Sequence, residues 1–350
     1  METDSRQIFG IDQASKEDHL VKELARLTNH HSTNCLEYGR FLKSIHWAEA
    51  STIETIPFLP VRLFKEMNLK SIPEQDVFRI LTSSGTTGDA VSRIFLDSQA
   101  AKIQSQFMIQ TMSHVIGRAR LPMLIIDSKA VTLGSSFSAR GAGVLGMMNL
   151  GRKHCFALDE NMELDSESVR DFLKNHGDSP FLIFGFTFMV WLYLAKLEKS
   201  LDINLSNGTL VHSGGWKKLV EQEVSHQEFR KQLSTRFGLE KIYNFYGMVE
   251  QIGTVFIESE IGDGSLTCPS FADVIIRDPI TLEPLPNGET GLIQTLSTLP
   301  VSYPGHSILT EDLGVIEGVD DQNRLGKRLR VLGRLPKAEV RGCSDTFRSK

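Results

Sequence analysis

At 350 residues, with 41% hydrophobic and 23% charged side chains, the chain can bury a large core and has the composition of a soluble globular protein. Its net charge of −5 argues against a general nucleic-acid binder, which needs a basic surface to neutralise phosphates. The four cysteines, Cys35, Cys155, Cys268 and Cys343, are scattered with no C-x-x-C pair, so neither a zinc site nor a disulfide framework is expected, and a reducing cytoplasm is the simplest setting. The start of the chain is polar and acidic, unlike a secretory signal, and the most apolar window, residues 181–195, is too short to span a bilayer. No membrane anchor is expected.

Residues 15–50 carry apolar positions at helical spacing (Leu20, Leu24, Leu27, then Leu36, Phe41, Ile45) and read as surface helices. The adjacent His30 and His31 point to different sides of a helix, so a solvated helix end is expected there in preference to a metal site. The string I-P-F-L-P at 56–60 breaks the pattern.

The most informative stretch is 77–88. An apolar-rich run, Val77 to Leu81, reads as a short strand feeding T-S-S-G-T-T-G, in which seven consecutive positions are hydroxyl or glycine. Glycines let a backbone approach an anion closely, and hydroxyls donate where backbone N–H groups cannot reach, so Ser83, Ser84, Gly85, Thr86, Thr87 and Gly88 are read as a phosphate grip. A solvent-exposed hydroxyl-rich turn is the plainer alternative. The mononucleotide loop G-x-x-x-x-G-K-[ST] is excluded, because Asp89 follows Gly88 where a Lys would stand.

Residues 98–116 are predicted helical, and 121–127 form a nearly unbroken apolar strand of the kind buried on both faces of a parallel sheet. Residues 134–151, rich in Gly and Ser around Arg140, are predicted to be a loop. Then come a helix at 163–174, a second buried strand at 181–186, a helix at 188–197, a strand at 208–213 with a Gly214-Gly215 turn, a helix at 218–237, and a third strand at 241–246 ending at Gly247. Such alternation implies a mostly parallel sheet with helices on its faces and ligands at the carboxyl ends of its strands. From about Phe271 the pattern changes to short strands and proline turns. His212 could orient a carboxylate or phosphate, although a hydrogen-bonded structural role is the safer reading.

Four loops in one order resemble the adenylate-forming superfamily: T-S-S-G-T-T-G at 82–88, G-G-W-K at 214–217, Y-G-M-V-E at 246–250, and T-E-D-L-G at 310–314 followed by G-R at 333–334. The resemblance implies an α/β fold: a large adenylate-forming domain, about 1–300, with mostly parallel sheets flanked by helices and a small β-rich region. A short C-terminal segment, 301–350, would carry nucleotide contacts in place of a full lid domain. It also implies that the hydroxyl loop holds ATP phosphates, Gly214 and Gly215 lie along the adenine, and Tyr246 stacks near the base beside Gly247. Glu250 would help to hold Mg²⁺, Asp312 would bind the ribose hydroxyls, and Arg334 would lie near ribose or phosphate. This chain departs from the pattern at Val249, where the superfamily usually has Thr, and at the missing Lys after the phosphate loop. It ends eight residues after Gly342, so the large lid and its catalytic Lys are expected to be absent.

Within the superfamily the chain most resembles the LuxE acyl-protein synthetases, which have Y-G-M-x-E and T-E-D-L-G loops and a short tail containing R-G-C-S, here Arg341 to Ser344. That resemblance implies an enzyme that activates a carboxylic acid, a fatty acid by preference, and loads it as a thioester on a tail cysteine matched by Cys343. An acyl-accepting reductase or carrier protein would be its partner. Two alternatives stay open: an acyl-CoA ligase related to phenylacetate-CoA ligases, and a non-catalytic nucleotide-binding subunit.

Overall fold

The computed structural model describes residues 8–83, 91–133, 139–195, 203–216, 224–321 and 324–335. Helices α1 (Gln13–Asn34) and α2 (Leu36–Ser44) open the chain. Asp12 caps α1 by accepting the Ser15 N–H at 2.9 Å, and Leu20, Leu24 and Leu27, spaced by three and four, are all fully buried. A short strand β1 (Leu59–Pro60) and a one-turn helix α3 (Leu63–Glu66) precede the hairpin β2 (Arg79–Thr82) and β3 (Arg93–Leu96).

Helix α4 (Ser98–Ile116), capped by Asp97, leads to β4 (Leu121–Ser128), α5 (Ala139–Met148), β5 (Gly151–Leu158), α6 (Ser166–His176) and β6 (Phe181–Phe186). Next come α7 (Thr187–Val190), which runs into a π turn at Trp191–Ala195, then β7 (Gly208–Ser213), α8 (His226–Phe237) and β8 (Lys241–Tyr246). The remainder is β9 (Phe256–Glu258), β10 (Leu266–Thr267), β11 (Ala272–Arg277), β12 (Gly291–Ser297), β13 (Ser307–Val319) and β14 (Lys327–Arg334).

One continuous sheet runs in the order β11-β12-β13-β14-β10-β9-β8-β7-β6-β4-β5, with β1 added beside β13. Strands β5, β4, β6, β7 and β8 are parallel, as the unbroken apolar runs predict, and β6 is buried at every position. From β8 onward the path is antiparallel. The β-rich region is therefore the second half of the same sheet. The main core lies around the parallel strands, and a smaller apolar cluster centred on Val274, Ile276, Ile293 and Leu329 serves the antiparallel half.

Two expectations need correction. Residues 139–148, expected in a loop, are helical as α5, because the glycines serve packing there. A Cβ on Gly143 would stand 3.2 Å from the Phe186 ring, and Arg140 is anchored by its Nε to Asp127 Oδ2 at 2.8 Å. Second, His31 is fully buried, not solvated: its Nδ1 is 2.7 Å from Ser71 Oγ, its Nε2 is 3.1 Å from the Pro300 carbonyl, and its ring stacks on His306 at 5.0 Å. Among the described residues no helix is long and apolar enough to cross a membrane.

Candidate active site

The predicted nucleotide residues meet where the parallel half of the sheet hands over to the antiparallel half. Tyr246 closes β8, and its hydroxyl donates to Asp312 Oδ2 at 2.7 Å. Asp312 and Arg334 are cross-strand partners on β13 and β14, and Arg334 Nε lies 3.3 Å from Asp312 Oδ1. Three residues 66 and 22 positions apart thus share one carboxylate. Burial drives the Tyr246 phenol well above its usual range, and the Asp312 charge adds to the shift, so Tyr246 remains a neutral donor.

The string T-E-D-L-G has a local reason at nearly every position. Thr310 Oγ1 donates to the Ile293 carbonyl at 2.7 Å and accepts the Asp312 N–H at 3.1 Å, which fixes the backbone that presents Asp312. Glu311 pairs with Arg62 from the segment preceding α3. Gly314 follows a bulge, and a Cβ there would stand 2.8 Å from Ile293 and 2.9 Å from the Arg330 carbonyl.

Glu250 lies in a short 3₁₀ turn after β8, with 6% of its surface exposed. Burial pushes its carboxyl above the usual range, while the Ser92 hydroxyl and the Lys65 and Arg334 charges pull it back. A lone buried carboxylate with a hydroxyl at its side fits Mg²⁺ held chiefly by phosphate oxygens and water, the usual arrangement for that ion. Among the described residues there is no group of three or more His, Cys, Asp or Glu that could hold a metal unaided.

Of the hydroxyl loop, Ser83 is described: its N–H donates to the Ser92 carbonyl at 3.1 Å, and its Oγ accepts the Ser92 N–H at 2.9 Å. This reciprocal clasp ties the base of the loop to Ser92, the neighbour of Glu250. Ser84, Gly85, Thr86, Thr87 and Gly88 lie outside the described residues, as does Cys343. Gly214 and Gly215 follow β7 and are exposed; Gly214 has φ of +83°, and nothing lies within 4 Å of a Cβ built on Gly215. Gly247 is tight for another reason, a Cβ there standing 3.1 Å from the Thr254 carbonyl.

Sequence reading did not single out Ser92, Lys65 or Thr310, because their positions gain meaning only through the loops they meet. Val249 packs with Leu63, Leu81 and Met248 in one apolar cluster, which accounts for an apolar side chain where Thr is usual. His212 is buried beside β6, with its Nδ1 2.9 Å from Thr187 Oγ1 and its ring 4.8 Å from that of Phe229. Phe186, Phe188 and Met189 belong to the main core.

A sheet whose parallel strands end at a glycine turn and a Tyr–Asp–Arg cluster, with a buried Glu close by, defines the class of adenylate-forming ligases. In fold the chain resembles 2-hydroxyisobutyryl-CoA ligase solved in its postadenylation state, with a TM-score of 0.73 at 16% identity over 95% of this chain and 70% of that one. It also resembles ATP-bound MatB from Rhodopseudomonas palustris, at a TM-score of 0.51 and 15% identity over 75% and 49% of the two chains. The model of the family described as acyl-protein synthetase, LuxE, matches residues 7–350, and the chain belongs to that family. Two relatives, each named long-chain-fatty-acid–luciferin-component ligase, are 25% identical in Vibrio harveyi (90% of this chain, 83% of that one) and 26% identical in Aliivibrio fischeri (95% and 88%).

Proposed function

We propose that this acyl-protein synthetase uses ATP and Mg²⁺ to convert a fatty acid into its acyl-adenylate, and then transfers the acyl group to the thiol of Cys343. The observation that carries the reading is the Tyr246–Asp312–Arg334 cluster at the carboxyl end of β8, one turn from buried Glu250. Asp312 accepts hydrogen bonds from the ribose hydroxyls with its outward lone pairs, while Tyr246 and Arg334 hold its carboxylate in place. Gly214 and Gly215 leave open surface for the flat base. Glu250, assisted by Ser92, holds Mg²⁺ against the phosphates; the ion's contribution is to neutralise charge that builds on the leaving pyrophosphate.

The acid's carboxylate oxygen attacks the α-phosphorus, the bond to the β-phosphate bridging oxygen breaks, and pyrophosphate leaves with the electron pair. The thiolate of Cys343 then attacks the acyl carbonyl and AMP departs, so one difficult transfer becomes two easier ones. The other cysteines are poorly suited to this step. Burial raises the thiols of Cys35, Cys155 (to about 11) and Cys268 (to about 12), and Cys35 and Cys268 are almost fully enclosed. The fatty substrate and a protein acceptor downstream rest on the names of the two relatives and on the family description.

The test is acid-dependent ATP–pyrophosphate exchange across a panel of acids, followed by incubation with labelled acid and ATP. Cys343→Ser is expected to keep exchange and to lose hydroxylamine-sensitive label. A mutant that labels like the wild type removes Cys343 from the mechanism, and wild-type protein that exchanges with no acid, alone or with its acyl acceptor, refutes adenylation.

A further inference from the structure

The phosphate loop has Asp89 where a Lys is usual, yet a triphosphate carries more charge than one Mg²⁺ neutralises. A cation from elsewhere in the chain is therefore expected near Glu250. The segment 59–66 brings one. It is laid onto the strand that carries Asp312: Leu59 and Pro60 pair with Ile308 and Leu309, and the Val61 N–H donates to the Leu309 carbonyl at 2.9 Å. Arg62 then pairs with Glu311, the residue before Asp312.

Helix α3 follows directly, and its two apolar side chains fix its orientation. Leu63 packs with Leu81, at the base of the phosphate loop, and with Met248 and Val249, which precede Glu250. Phe64 is fully buried, edge-to-face on Tyr303 with ring centres 6.2 Å apart; close by, a Cβ on Gly305 would stand 2.7 Å from the Glu250 carbonyl. Lys65 is the next residue, half-buried, at the junction of three segments remote in sequence. Its ammonium is one of two cations, with Arg334, that favour the charged form of the Glu250 carboxylate.

We propose that Lys65 supplies, from outside the hydroxyl loop, the cation that binds the β- and γ-phosphates of ATP and steadies the departing pyrophosphate. It donates N–H bonds to phosphate oxygens and transfers no proton, so it acts on the triphosphate and not on the AMP portion. The inference rests on the adenylation reading given above. A bland counter-ion for Glu250 would have the same neighbours, and the two roles differ in what they do to ATP relative to AMP.

The experiment compares wild type, Lys65→Met and Lys65→Arg by calorimetric titration with Mg·ATP and with AMP, alongside ATP–pyrophosphate exchange. Lys65→Met is expected to weaken ATP binding by roughly 10- to 100-fold, the usual worth of a charge-assisted contact, with AMP binding changed by less than about twofold. Lys65→Arg, which keeps the charge, is expected to recover most of the ATP affinity. In a Glu250→Gln background, Lys65→Met should still weaken ATP binding; no further loss there, or equal losses for ATP and AMP, would make Lys65 a counter-ion and overturn the proposal. Wild type that exchanges pyrophosphate while Lys65→Met exchanges equally well defeats the Lys65 role alone, whereas wild type that neither binds ATP nor exchanges defeats the adenylation reading itself.

Discussion

The two halves of the sheet are held together by different physics. In the parallel half, β4 and β6 bury almost every side chain, and the core around them is apolar with one buried ion pair, Asp127–Arg140, near its edge. In the antiparallel half, charge is built into the interior. Asp273, fully buried, accepts from Gln13 Nε2 at 2.6 Å and faces Lys16 at 3.4 Å and Lys327 at 3.2 Å, stitching α1 to β11 and β14. Arg324 meets Asp263 at 2.7 Å, and Arg328 meets Asp321 at 2.6 Å. Apolar burial is non-directional and supplies a scaffold, whereas paired charges specify register and docking at the expense of desolvation. The nucleotide residues lie on the seam, where Tyr246 from one half meets Asp312 and Arg334 from the other.

The contrast is broken most severely at Asp273. Burial alone would raise its carboxyl, but Lys16 and Lys327 prevail and hold it lowered, so Asp273→Ala leaves two buried ammonium groups without their partner. Urea denaturation should show a loss of about 3–5 kcal/mol. A loss below about 1 kcal/mol would mean that water reaches the two lysines and that this half is not held by buried charge.

A second test uses acid. Burial holds His31 well below its ordinary 6.5 and takes His212 and His306 to about 3, so each is neutral in the fold. In the unfolded chain each takes up a proton near 6.5. Their stabilising effect is complete above that value and is lost as pH falls from about 6.5 toward 3. Each contributes up to about 1.4 kcal/mol per pH unit in that window. Depressed carboxylates add to the same trend only at lower pH. Stability measured at pH 7, 6 and 5 should therefore fall, and His306→Gln should make the fall shallower.

The seam is sharpened by Asp312→Asn. The amide oxygen can still accept from Tyr246, so denaturation midpoints should move little, while ATP–pyrophosphate exchange should drop by about 10- to 100-fold. A parallel loss of stability and activity would make Asp312 a structural tie between the halves. The smallest effect is expected at Arg330–Glu317, whose side chains are about 30% exposed. Glu317→Gln should cost less than about 1 kcal/mol, less still in high salt, and leave exchange unchanged.

Much of the parallel half was legible in the sequence, because a strand buried on both faces must be apolar throughout and a helix on its surface must be apolar on one stripe. Residues 98–116 are helical as read, and the strands 121–127, 181–186, 208–213 and 241–246 appear where expected. Where glycine was the main cue, sequence was ambiguous: in α5 it permits close approach to Phe186, and after β7 it permits a turn at φ of +83°. Buried polar groups were equally hard to read, since nothing local distinguishes His31, enclosed against His306 from 275 positions away, from a solvated histidine.

By itself, the order of four loops determined the family, the ATP chemistry to expect and the candidate residues Tyr246, Glu250, Asp312 and Arg334, because short motifs encode what a backbone and a few donors can hold. Only the tertiary structure decided that three of these share one carboxylate across the seam, and that Ser92 and Lys65 stand at the fourth. Those relations depend on the pairing of strands far apart in the chain, and electrostatic partners are chosen by distance in space, which no local pattern of residue types records.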